Sequence, residues 1–87
     1  MPYIKQEDRE HFKRALAEAK WELGSQKTPG DLNFFITSII HNYIEFHGTS
    51  YKTFNEVIGV LECAKLELYR KKIAPYEEIK IGENGDV

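Results

Sequence analysis

A single cysteine, Cys63, stands in the chain of 87 residues, so no intrachain disulfide can form and nothing calls for an oxidising compartment. Long apolar runs are missing too. The richest, Phe34-Phe35-Ile36-Thr37-Ser38-Ile39-Ile40, falls far short of the ~20 residues that a membrane-spanning helix needs. The opening Met-Pro-Tyr-Ile-Lys-Gln-Glu-Asp has neither the apolar block nor the cleavage pattern of a secretory signal, so the expected location is the cytoplasm, away from any membrane. Neither sign of charge dominates: 12 Lys and Arg stand against 14 Asp and Glu. Residues 74–87 hold four acids and one lysine, which leaves the body with 11 bases and 10 acids, a net of +1. That balance argues against a nucleic-acid binder, which usually shows a basic stripe. The one basic cluster, Arg70-Lys71-Lys72, reads as a solvated helix end. No internal repeat and no glycine-rich phosphate loop occurs.

What is present is helical periodicity. In the stretch Thr53 to Lys72, Val57, Leu61, Ala64 and Leu68 recur at the spacing of an apolar stripe on a 3.6-residue period. Thr53 followed by Glu56 has the pattern of a capping box, Arg70 to Lys72 complement the carbonyl end of the dipole, and Pro75 is expected to stop the helix. An earlier helix spans about Gln6 to Leu23, with Glu7, Asp8 and Glu10 in its first turns and Phe12, Ala15, Leu16, Ala19 and Leu23 on one face. Trp21 lies opposite Phe12 on the charged side. Gly24 suits the position just past the helix end.

The clearest entry signal is Thr28-Pro29-Gly30-Asp31: threonine at the N-cap, proline at the first helical position and an acid at the third. Leu32, Phe35, Ile36, Ile39, Tyr43 and Phe46, extended by Ile40 and Ile44, then form an apolar face broad enough for two neighbours. Gly48 closes this helix. The expected fold is therefore all-α, a three-helix bundle over about 6–23, 29–47 and 53–73, packed around Leu16, Phe35, Ile39, Leu61 and Leu68. The domain division is a helical body, 1–73, and an acidic tail, 74–87. Glu78-Ile79-Lys80-Ile81 alternates with period two, so the short tail is expected to be extended, either pairing with Tyr3-Ile4-Lys5 or lying free.

Several blocks resemble a family of small uncharacterised proteins from bacteriophages, prophages and bacteria. They are Pro2-Tyr3-Ile4-Lys5-Gln6-Glu7-Asp8-Arg9, Pro29-Gly30-Asp31-Leu32-Asn33, Ile36-Thr37, His41-x-Tyr43, the run Asn55 to Glu67, Tyr69-Arg70, Ala74-Pro75-Tyr76-Glu77 and Glu83 to Val87. The likeness spans nearly the whole chain but matches no pattern around Ala15 to Trp21. It implies no activity, because the family has no established function.

Polar residues on apolar helices form the best candidate site. Asn33, Thr37 and His41 stack at i, i+4 and i+8 along one flank of the second helix. Asn55, Glu62 and Tyr69 repeat every seven residues beside the stripe of the third. Were these helices antiparallel neighbours, the two polar stripes would meet, as a ligand site or as an interhelical hydrogen-bond network. In the first case Asn and Thr direct a small ligand, Tyr69 stacks or bonds, His41 adds a donor and Arg70 supplies affinity for phosphate. His11, His41 and His47 lack metal-ligand spacing, no paired cysteines occur, and no metal or cofactor is expected. Cys63, between Glu62 and Ala64, reads as a packing residue, and the adjacent Glu77-Glu78 lacks the desolvation that splits carboxyl pKa values.

The sequence thus points away from an enzyme. It leaves a homo-oligomeric binding module, capturing a small host molecule such as a nucleotide signal or blocking a host protein, or an assembly accessory without a ligand. A dimer is the expected oligomer, with Trp21 and Phe34 as interface residues because one bundle does not bury them.

Overall fold

The computed structural model describes residues 3–87; Met1 and Pro2, the first residue of the Pro2–Arg9 block, lie outside the described residues. Among the described residues the chain is all-α, with three helical stretches and no strand. Two compact units divide it, Tyr3–Phe54 and Asn55–Val87, and the boundary falls inside a helix.

In the first unit, α1 (Gln6–Arg9), a 3₁₀ turn (Glu10–Phe12) and α2 (Lys13–Glu22) follow without a break. Glu7 and Asp8 sit where the unpaired amides of the helix start favour negative charge. Ahead of α1, the Arg9 Nε–H donates to the Ile4 carbonyl at 2.8 Å and occupies a backbone group that a strand would need. The stretch ends at Leu23, whose N–H still reaches the Ala19 carbonyl at 2.9 Å.

α3 (Pro29–His47) begins at the expected N-cap Thr28, which forms a capping box with Asp31. The Asp31 amide donates to Thr28 Oγ1 at 3.3 Å, and the Thr28 amide donates to Asp31 Oδ2 at 2.8 Å. Two orphan donors are thereby satisfied at once. Gly48 ends α3 at φ 95°, ψ 148°, a region open essentially to glycine alone.

α4 (Tyr51–Leu68) starts two residues before the expected Thr53. Ser50 makes the cap instead: its Oγ accepts the Thr53 amide at 3.2 Å and its carbonyl accepts the Phe54 amide at 3.0 Å. Thr53 lies inside the first turn, buried, with its hydroxyl accepting from Ser50 Oγ. The Thr53–Glu56 reading fails because Ser50 stands nearer the true end of the loop and offers the same oxygen chemistry.

The second correction concerns the tail. A π turn (Tyr69–Ile73) follows α4, and α5 (Ala74–Asn84) continues the helix through the segment expected to be extended. Proline in a regular α-helix forfeits one hydrogen bond and crowds the carbonyl four residues back. Here the Ala74 N–H reaches five residues back, to the Tyr69 carbonyl, which loosens the ladder just before Pro75. Pro75 then occupies the first turn of α5, where its missing N–H costs little. Gly85, at φ 85°, is the actual stop.

The expected core also needs correction. Leu16, Ile39, Leu61 and Leu68 are exposed and Phe35 is half-buried. Val57 is the buried apolar residue of the described chain. Periodicity marks the side that a helix would bury, but it does not supply the surface that covers it.

Candidate functional site

The polar flank of α3 is built on consecutive turns of one helix, so its spacing is set by helix geometry alone. The Thr37 hydroxyl donates to Asn33 Oδ1 at 3.0 Å, which joins two of the three expected residues. His41, a turn further on, is exposed, as are Asn33 and Thr37. Nearby, the rings of Tyr43 and His47 stack with centroids 4.0 Å apart and planes 20° from parallel. The flank therefore presents an amide, a hydroxyl and an imidazole to solvent.

In the unit Asn55–Val87, Asn55 and Glu62 are exposed, and the Glu62 carboxylate pairs with Lys65 at 2.9 Å. The Arg70 guanidinium donates to both oxygens of Glu67, at 2.9 and 3.1 Å. Both bonds come from Nη2, one of the nitrogens of the fork that a phosphate would take. Tyr69 bonds to Glu77, and this hydrogen bond, with the charge of the same carboxylate, pushes the phenol above its ordinary value. In a straight α-helix, positions eight apart do not lie in line, but the π turn between Tyr69 and Glu77 absorbs one residue and brings them into register.

Glu67 and Glu77 are the partners that sequence reasoning missed. Glu67 carried a signal, since it stands three residues before Arg70 on a helix. Glu77 carried none while its segment was read as a free tail.

The seven expected ligand residues divide between the two units, with Asn33, Thr37 and His41 in one and Asn55, Glu62, Tyr69 and Arg70 in the other. Two open grooves lie elsewhere. One, of about 310 Å³, is lined by Leu23, Lys27, Thr28, Pro29 and Leu32. The other, of about 380 Å³, lies at the end of α5 among Glu77, Lys80, Ile81 and Asn84 to Val87. The expected interface residues Trp21 and Phe34 are 84% and 75% exposed. Cys63 is a free, half-buried thiol. Among the described residues no group of three His, Cys, Asp or Glu side chains is gathered to hold a metal ion, and no helix is long and apolar enough to cross a membrane.

The fold and these surfaces define a small all-helical protein with solvated polar flanks. The chain belongs to the family described as a domain of unknown function, DUF6899, whose model matches residues 1–87. No curated protein and no solved structure matches it.

Proposed function

We propose that the chain is a non-enzymatic binding module that works as a homo-oligomer in the cytoplasm. One observation carries this reading. Val57 is the buried apolar residue of the described chain, whereas Trp21, Phe34 and Phe46 stand 84, 75 and 89% exposed. Apolar surface gains about 25 cal/mol per Å² when it leaves water, so side chains of this size favour a partner. The likeness to phage and bacterial proteins suggests a host origin for whatever is bound. Asn33, Thr37, His41, Asn55, Glu62, Tyr69 and Arg70 offer donors and acceptors suited to a small polar molecule such as a nucleotide signal; a blocked host protein is the other form of the same reading.

The same exposed Trp21, Phe34 and Phe46 support a second reading, an assembly accessory without a ligand. Calorimetric titration with cyclic and linear nucleotides separates the two. The binding reading expects saturable heat that is lost in His41→Ala and Tyr69→Ala. An oligomer silent across the whole panel leaves the assembly role.

A further inference from the structure

One face of α3, a helix of 19 residues, stands apart from the other helix faces among the described residues. Leu32, Ile36, Ile39, Tyr43 and Phe46 follow one another at steps of four, three, four and three residues. That is the heptad spacing of a seam that packs knobs into holes. It runs about 21 Å along the helix. All five side chains are exposed, at 48, 41, 51, 44 and 89%. The half-buried Phe35, Ser38, Ile40 and Ile44 lie off this line.

Charge separates the α3 seam from the other exposed faces. No Asp, Glu, Lys or Arg occurs from Leu32 to Ile44. On α4 the corresponding line Phe54, Ile58, Leu61, Lys65, Leu68 is broken by a lysine paired with Glu62. On α2 the Leu16 face is flanked by Lys13 and Lys20. A nucleic acid, an anionic membrane surface or a charged peptide finds no complementary charge on α3 between Leu32 and Ile44. A copy of the same helix meets no like charge, and every seam residue finds an apolar one opposite.

We infer that this seam is an isologous interface, covered by α3 of a second copy of the chain with Ile39 near its centre. The inference rests on the homo-oligomeric reading and names its contact. Two aromatic rings and three aliphatic side chains at these exposures present on the order of 500 Å², the larger part of the ~800 Å² that each partner gives to a stable interface. A two-fold axis uses the same patch on both subunits, so one uncharged seam suffices for both sides.

Light scattering coupled to gel filtration tests it. The wild-type chain is expected at twice the chain mass or a higher multiple. Ile39→Glu is expected to lower that mass while helical circular dichroism is kept, and Ile58→Glu on α4 to leave it unchanged. A wild-type chain that runs at single mass at high micromolar concentration overturns the seam and the homo-oligomer together. An assembly that persists in a folded Ile39→Glu variant overturns the seam alone. If Ile39→Glu loses its helicity, oxidative cross-linking decides: in a Cys63→Ser background, Ile39→Cys is expected to form a covalent dimer and His41→Cys, roughly 200° round the helix, is not. Equal cross-linking at both positions, or none at Ile39→Cys, overturns the seam.

Discussion

Thr28 and Asp31 exchange hydrogen bonds through both backbone and side chain, and the threonine amide and hydroxyl together hold the Asp31 carboxyl below its ordinary value of 3.8. A depressed carboxyl contributes stability that is present above the unfolded value and lost as pH falls through the folded one. Thermal melts taken downward from about pH 6 should therefore lose part of their midpoint below the ordinary carboxylate range, and Asp31→Asn should remove that part of the loss. Tyr69 obeys the opposite sign. Its raised phenol keeps the neutral form in the fold, so its contribution holds below the ordinary tyrosine value of 10.0 and is lost as pH rises through the folded value. The Thr28 cap was legible from residue types alone, because a cap needs only local chemistry. The bond from Tyr69 to Glu77 was not, because it depends on the backbone between them.

At the scale of elements, glycines and a proline show where local rules hold and where they give way. Gly48 and Gly85 end their helices at φ 95° and 85°, where a Cβ is strained although space around it is open. Gly48→Ala should cost about 1–3 kcal/mol in urea melts, against a few tenths for Gly59→Ala or a gain, since Gly59 lies inside α4 with open space around it. Pro75, read as a stop, is carried within a continuous helix by the π turn before it. The alternation in Glu78-Ile79-Lys80-Ile81 was a four-residue pattern, too short to outweigh helix already running into it. The same failure moved the start of α4: Thr53 looks like a cap in isolation, but Ser50 reaches the amide first.

For the whole molecule the decisive quantity is burial. Val57 and Ile58 are neighbours on α4, yet one is 7% and the other 65% exposed. Val57→Ala should cost on the order of 1–2 kcal/mol from its lost methyl groups, whereas Ile58→Ala should stay within about 0.5 kcal/mol. Equal shifts of the urea midpoint would contradict that assignment. A fold of this size holds only a few kcal/mol in reserve, and the proposed association through the α3 seam would add to it by mass action.

The amino-acid order by itself determined the helical class, the entry of α3 and the uncharged run from Leu32 to Ile44, since these depend on propensity, capping and period over a few neighbouring residues. It also determined that Asn33, Thr37 and His41 share a flank, because spacing on one helix does not wait for packing. Only the tertiary structure decided that α5 continues past Pro75, that Tyr69 is held by Glu77, and that Leu16, Ile39, Leu61 and Leu68 remain exposed. A period says which side of a helix is apolar. Whether that side meets water, its own chain or another copy depends on surfaces that no local pattern contains.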